Sequence, residues 1–496
     1  MSLFSGRLSR ASLPSVARGV ALPEYDPAKH RVGIVHIGIG GFHRAHQAVY
    51  TDGALAGHGG DWRIAGVSLR GDAVAEQLNP QDGLYAVNVR SAERSAYRVI
   101  GAIDRVLAAH RSPRAVLDSL VAPTAKIVSI TVTEKGYCHD PATGDLNAAH
   151  PEIRADLAGP ESPSTVLGFL AAALDERRAR GLEPFTVLCC DNLPHNGAML
   201  RELVVQFAEL RDAALATWIG RHVAFPSTMV DRITPPTTDA DLEAAQRALG
   251  LEDRGVVVTE PFSQWVIENA FGTERPRWED AGAELVADVA PYELAKLRLL
   301  NGAHSALAYL GYLAGYAHVH EAMADDALAR YVERLMRDEI APTLTAPPAF
   351  DLERYQRELL ARFRNPALNH RTWQIALDGS QKLPPRLLGT VRDRLAAAQP
   401  IDGLALAIAG WMRYVGGIDE RGATIEVRDP LAAELRSLAQ AHASDPIAVV
   451  RALAGVTQVF GTDLRERAEF VGAVGAALTE LVRYGARTTL RRSLEA

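Results

Sequence analysis

Residues 31–46 read RVGIVHIGIGGFHRAH, an apolar run closed by glycines that open a helical pattern. The run is β-branched on both faces of a strand period, as expected for a buried parallel strand. Gly38-Ile39-Gly40-Gly41-Phe42-His43 then stands between strand and helix, the setting of a dinucleotide-binding turn. Gly38 permits the tight turn, and Gly40 lets backbone approach a pyrophosphate held at the positive helix end. His43 occupies the place of the usual third glycine. Three further apolar runs follow: 62–69 (WRIAGVSL), 126–133 (KIVSITVT) and 185–190 (FTVLCC). Residues 44–56 and 163–181 have helical spacing between runs, with Leu167, Leu170 and Leu174 on one face. Alternation of buried runs and helices predicts parallel βαβ units.

From about Pro291 the pattern changes. Helical periodicity dominates 292–317, 326–340, 351–364, 404–415 and 446–459. The predicted fold class is α/β: a Rossmann-like N-terminal domain over 1–285 and a mostly α-helical C-terminal domain over 286–496. The chain has 496 residues and is 48% hydrophobic and 23% charged, an ordinary globular composition. A net charge of −7 argues against nucleic acid or an anionic membrane surface as partner. No stretch is apolar enough to span a bilayer and no apolar leader opens the chain, so the expected location is cytoplasmic. Cys138, Cys189 and Cys190 are too few and too clustered for a disulfide framework. The pairs His43/His46 and His318/His320 lack a third ligand nearby in sequence, so no metal is expected.

The chain has 48 arginines and only five lysines, so a lysine inside an apolar segment invites a reason. Lys296 lies in VAPYELAKLRLLNGAHSALAYLGY (289–312), among Leu294, Leu297, Leu299 and Leu300. On an α-helix, Asn301 falls about 140° and His304 about 80° from Lys296, all on one arc. A neutral lysine beside an oxidised nicotinamide takes the proton of a secondary alcohol as hydride leaves its carbon. Asn301 and His304 then hydrogen-bond the developing alkoxide. Glu293, one turn earlier, relays the proton or simply pairs with Lys296. Taken singly, the lysine reads equally as a snorkelling surface group and the histidine as a core residue. Tyr292 and Lys296 also have the Tyr-x-x-x-Lys spacing of short-chain dehydrogenases, but their place at a domain junction argues against that reading. Asp191-Asn192 and Asp231-Arg232 each follow an apolar run, where open α/β sheets place ligands. After the second run, Asp72 suits an adenosine ribose 2′-hydroxyl and favours NAD; Arg70 beside it would instead accept the 2′-phosphate of NADP.

These segments together resemble the mannitol dehydrogenase family, the polyol-specific long-chain dehydrogenases. The resemblance runs nearly the full length. It rests on HIGIGGFHRAH (36–46), TVTEKGY (131–137), CDNLPHN (190–196), MVDRIT (229–234), EPFSQWV (260–266) and KLRLLNGAH (296–304). It implies NAD(P)-linked, metal-independent oxidation of an acyclic polyol or sugar acid, in a site between the two domains. The family's Lys-x4-Asn-x2-His motif falls on Lys296, Asn301 and His304, with Lys296 as general base and Glu293 as relay. Its substrate-contacting Asn and Asp fall on Asn192 and Asp231. The cofactor positions are then Ile37, Gly38, Gly40, Phe42, Arg70, Asp72, Thr133 and Glu134.

Two branches compete. RTWQIALDGSQKLPPRL (371–387) and GWMRY (410–414) are similar to the hexuronate branch, the fructuronate reductases, or D-mannonate oxidoreductases. A substrate carboxylate needs a cation, and Arg371 and Lys382 are the candidates. The front half, GGFHRAHQAVYTD and DNLPHNG, is as similar to mannitol 2-dehydrogenases. The expected reaction is D-fructuronate/D-mannonate interconversion with NAD, D-fructose/D-mannitol being the alternative. A catalytically silent NAD-binding regulator on the same fold is the remaining reading.

Overall fold

The computed structural model describes residues 6–140, 143–347 and 350–495. The chain divides into two compact units, Met1–Ala290 and Pro291–Ala496.

The first unit is built on a five-stranded parallel sheet. Its strands are β1 (Val32–Ile37), β2 (Arg63–Ser68), β5 (Ile103–Ala108), β6 (Ile127–Ile130) and β7 (Thr186–Cys189), in the order β5-β2-β1-β6-β7. β3 (Tyr85–Arg90) and β4 (Ser95–Ile100) form an antiparallel pair inserted between β2 and β5. β8 (Thr228–Asp231), β9 (Val257–Thr259), β10 (Gln264–Glu268) and β11 (Glu284–Val286) complete two small sheets, β11-β10-β8 and β4-β3-β9. The four apolar runs of the sequence are β1, β2, β6 and β7. β5 was not among them. It is the sheet's edge strand, IDRVLA, and half of its side chains face solvent or helix ends, so it does not read as a buried run. The helices Gln47–His58 and Val166–Ala179 cover the sheet, with Val35, Val128, Leu170 and Leu174 in one core and Ile34, Ile64, Ala54 and Leu55 in another. β1 has β2 on one side and β6 on the other. The chain's direction across the sheet reverses there, leaving a crevice at the carboxyl ends of β1 and β6.

The second unit is helical. Helices Ala303–Leu313, Asp402–Val415 and Ala468–Glu495 pack on one another, the last breaking at Gly485 with φ of 73°. Two stretches predicted as single α-helices are interrupted. Lys296–Gly302 and Leu335–Ile340 are π-helical, in the first case between α-helices Ala290–Ala295 and Ala303–Leu313. Among the described residues no helix is long and apolar enough to cross a membrane.

Candidate active site

The first unit supplies a backbone cradle at the switch point. Gly38 follows β1 with φ of +99°, and a Cβ there would stand 2.0 Å from the Thr131 carbonyl oxygen. Thr131 in turn donates its N–H to Ile37 O (2.9 Å) and its hydroxyl to Gly38 O (2.8 Å). Only glycine fits, for conformation and for space. Gly40 differs. Its nearest neighbour to a built Cβ is Gly38 O at 3.8 Å, so nothing inside the protein demands glycine. Open backbone at the start of helix Gly41–Ala45 fits the approach of a phosphate group. The Ile37 side chain is fully buried in the core, so only its backbone borders the turn. Phe42 stacks on His46 at 5.0 Å. His43, in the place of the third glycine, lies flat on His36 at 3.4 Å between ring centroids, and both rings are buried. An imidazole face thus makes the close helix–strand contact. Burial pushes His36 down to about 3 and His43 well below its usual range, so both are neutral. Arg44 Nη1 donates to Gly255 O (2.6 Å) and Arg232 Nη1 to Ala45 O (2.5 Å), pinning the short helix from β9 and β8.

At the end of β2, Arg70 is exposed and donates to both carboxylate oxygens of Glu152 (3.2 Å each). Asp72 precedes helix Ala73–Leu78. Its carboxylate pairs with Arg111 and with His110 Nε2 (3.4 Å), and the Arg111 hydrogen bond holds it below the usual range. Arg111 and His110 follow β5, so the missed strand also hid the partners of Asp72. Cys138, His150 and Glu152 bring one potential ligand atom each within 4.8 Å of one another. Arg70 already takes that carboxylate, and His150 Nδ1 accepts the Glu152 N–H (3.3 Å).

Beyond β6 the chain turns sharply. Thr133 has φ of 69°, a region costly for a β-branched residue. Asp191, at the end of β7, holds it there. Its carboxylate accepts the N–H groups of Val132 (2.8 Å) and Thr133 (3.3 Å) and the Tyr137 hydroxyl (2.6 Å), and burial raises its pKa. The sequence pairs Asp191 with Asn192 as ligand candidates. In the structure Asp191 is a brace, while Asn192 next to it is exposed. Asn196 ties this corner together, donating to Asp191 O (2.9 Å) and Thr228 O (2.8 Å) and accepting from Thr228 N–H (3.0 Å). Asp231 is buried at the end of β8, opposite Gln264. Glu134 begins the short helix Glu134–Tyr137; its side chain lies outside the described residues.

The second unit carries the lysine. Lys296 and His304 are buried, and Glu293 and Asn301 are half-buried. The α-helical arc of the sequence reading needs correcting. Residues 296–302 form a π-turn, in which hydrogen bonds run to the fifth residue and not the fourth. One turn therefore holds an extra residue. Asn301, the fifth after Lys296, is thereby brought nearer to the face of Lys296 than on a regular α-helix. Gly302 ends the turn, and a Cβ there would stand 2.8 Å from Arg386 O. Arg386 belongs to a third π-helical segment, Pro384–Leu388, which packs against Lys296–Gly302.

A cationic cluster surrounds His304. Its ring stacks on Phe363 (4.7 Å) and meets His370 edge-on (5.1 Å). Burial, then the charges of His370, Arg386, Arg362 and Lys382, push it well below its usual range, so it is neutral at neutral pH. Burial and Lys382 lower His370 to about 4. Lys382 Nζ donates to Ile375 O (3.3 Å), and burial, then Arg386, lower it to about 8. Arg386 Nη1 donates to Ser305 Oγ (3.1 Å). Arg371 is not part of this group: it is exposed, and its carbonyl accepts from Gln374 and Ile375 at the start of helix Thr372–Ile375. Arg386 was missed. Its spacing of four from Lys382 was the available signal, but Pro384 and Pro385 between them speak against a continuous helix.

The family profile described as the mannitol dehydrogenase Rossmann domain matches residues 32–280, and that of the mannitol dehydrogenase C-terminal domain matches 288–482. The chain belongs to the mannitol dehydrogenase family. Its relatives include the D-mannonate oxidoreductase of Escherichia coli K12, 45% identical over 94% of this chain and 97% of that protein. They also include a mannitol 2-dehydrogenase of Aspergillus terreus, 40% identical over 99% and 97%. Among solved structures, Pseudomonas fluorescens mannitol 2-dehydrogenase, a ternary complex with NAD and D-mannitol, superposes with a TM-score of 0.87 at 42% identity, covering 99% of both chains.

Proposed function

We propose that this mannitol dehydrogenase family member is an NAD-linked oxidoreductase that interconverts an acyclic sugar acid and its keto form, D-mannonate and D-fructuronate being the favoured pair. The observation that supports this reading is the π-turn over Lys296–Gly302, which holds buried Lys296 together with Asn301 and leads into the helix of buried His304. Bound NAD supplies the hydride acceptor for alcohol oxidation and, reduced, the donor for ketone reduction. Gly38, Gly40 and Phe42 with the Ile37 backbone are suited to its pyrophosphate side, Asp72 or Arg70 to its ribose end, and Thr133 and Glu134 to the turn after β6.

Lys296, as the neutral amine, takes the hydroxyl proton of the secondary alcohol. Asn301 and neutral His304 hydrogen-bond the same oxygen and stabilise its charge as the carbonyl forms. Glu293, half-buried three residues before Lys296, carries the proton on towards water. Asn192 and Asp231 are the substrate-contacting residues of the first unit. A lysine base with two hydrogen-bonding partners meets the needs of this chemistry without a metal, so EDTA is expected to leave the rate unchanged.

The sugar-acid reading is supported by the likeness to D-mannonate oxidoreductase and by the cations around His304. A second reading, D-mannitol and D-fructose, is supported by the 42% identity to a solved mannitol 2-dehydrogenase. The test is NADH oxidation, followed by nicotinamide absorbance, with D-fructuronate and D-fructose offered separately. A higher kcat/KM for fructuronate supports the first reading and a higher value for fructose the second. NADH binding without turnover of either would leave the silent regulator.

A further inference from the structure

We propose that Arg386 is the residue that reads the substrate's carboxylate, with Lys382 as a second cation beside it. This rests on the oxidoreductase reading above and adds the specificity element to it.

The buried arginines Arg177, Arg394 and Arg63 set the comparison. Arg177 donates to Glu183 O, Leu120 O and Ala122 O, all within 3.0 Å. Arg394 donates to Pro400 O, Asp338 O and Glu339 O. Arg63 pairs with Asp104 and donates to Ile103 O. In these three the terminal guanidinium nitrogens find carbonyl or carboxylate oxygens, as the cost of burying a charge requires, although Arg63 Nε has no acceptor. Arg386 is half-buried, and burial lowers its pKa. Its one hydrogen bond among the described residues goes to the neutral Ser305 hydroxyl, and no carboxylate pairs with it there.

The surroundings sharpen the point. Arg386 and Lys382 both lie close enough to His304 to disfavour its protonation, and Arg386 does the same to Lys382. Asp378 and Asp429 also act on Lys382. Asp429 is committed, however, to the Ser380 N–H (2.7 Å) and hydroxyl (2.6 Å) and to the Leu431 N–H (2.8 Å). The neighbouring imidazoles are neutral. Asp378 offsets part of the Lys382 charge, while no carboxylate is among the groups acting on Arg386. The result is a half-buried guanidinium and an ammonium on adjoining turns of one helical run, the guanidinium next to the residue that follows His304. The group that complements a planar fork of N–H donors with net positive charge is a carboxylate, taken in two parallel hydrogen bonds. A polyol hydroxyl would leave most of those donors unpaired.

The inference is tested by kinetics and by binding. Wild type, Arg386→Ala and Arg386→Lys are assayed with NADH against D-fructuronate and D-fructose. Arg386→Ala is expected to lower the fructuronate/fructose ratio of kcat/KM by about a hundredfold, and Arg386→Lys to recover part of that loss. An equal loss with both ketones, or a ratio within threefold of wild type, would overturn the assignment. Calorimetric binding of D-mannonate and D-mannitol to the NAD complex is measured in a Lys296→Ala background. That arm does not depend on turnover. If Lys296→Ala still turns over, the lysine mechanism is wrong, yet selective loss of mannonate binding on adding Arg386→Ala still upholds the carboxylate contact. If wild type binds mannitol but not mannonate, the carboxylate contact is wrong while the oxidoreductase reading stands. Thermal melting and NADH fluorescence titration of each variant separate these outcomes from misfolding.

Discussion

Each unit of the chain brings two imidazoles into ring contact, His36 with His43 and His304 with His370, and the two pairs differ in their surroundings. His36 and His43 lie face to face beneath the glycine turn, where His36 is bonded to Ser129 Oγ (2.8 Å) and Thr131 Oγ1 (2.9 Å) and His43 feels the charge of neighbouring Arg44 only weakly beside desolvation. His304 and His370 meet edge-on with Arg386 and Lys382 around them. Both pairs are held neutral, the first by desolvation above all, the second by desolvation with a positive field added. Depressed imidazole pKa values therefore do not mark a reactive site by themselves. What distinguishes the second pair is the company of Arg386 and Lys382 and of Lys296, eight residues before His304.

The largest effect that tests this contrast is expected at Lys296. Lys296→Ala should reduce kcat by roughly 10²–10⁴-fold while NADH binding and melting temperature stay close to wild type. Retention of more than about a tenth of the rate would remove the general base from the second unit and dissolve the contrast.

The histidine pairs should then separate by pH and by readout. A histidine whose folded pKa is depressed to about 3 takes up a proton on unfolding below about 6.5. Stability from the His36 site is thus complete above about 6.5 and is lost progressively as pH falls toward 3, by a few kcal/mol in all. His36→Asn should flatten that acid slope in denaturant titrations at pH 7, 5 and 4. His304→Ala should instead lower kcat by about 10²-fold at neutral pH, as loss of one stabilising donor does. If His36→Asn leaves the acid slope unchanged, the stacked pair is not the neutral core element described above.

A smaller effect is expected from Lys382. Its pKa of about 8 means the ammonium is lost as pH rises through that value. KM for fructuronate should rise several-fold between pH 7 and 9, while KM for fructose rises less. Parallel pH profiles for the two ketones would separate Lys382 from the acid subsite.

The smallest shift concerns the cofactor end. Asp72 is already paired with Arg111, so its charge reaches a 2′-phosphate partly compensated. Asp72→Ala should move the NAD/NADP preference toward NADP by only about threefold to tenfold. A shift as large as a thousandfold would show that Arg111 does not shield it.

Much of this was legible in the linear chain. β1, the glycines after it, the parallel alternation and the helical second half follow from period and residue type, because a buried strand and a tight turn restrict which side chains fit locally. Lys296 stood out because a charged group in an apolar helix segment has few innocent explanations. The edge strand β5 escaped because half-exposed IDRVLA has no continuous apolar run, and with it went the Arg111–Asp72 pair. Asp191 was visible as a residue but not as a brace, since its three donors come from 132, 133 and 137, some sixty residues earlier. The sequence by itself determined the residue types of the cradle and of the Lys-Asn-His set. Only the tertiary structure decided that residues 296–302 wind as a π-turn and that Arg386, not Arg371, joins Lys382. The physical reason is that a π-turn and a helical run through two prolines are not preferred by any local pattern. They form where neighbouring backbones pack together, here at Gly302 against Arg386.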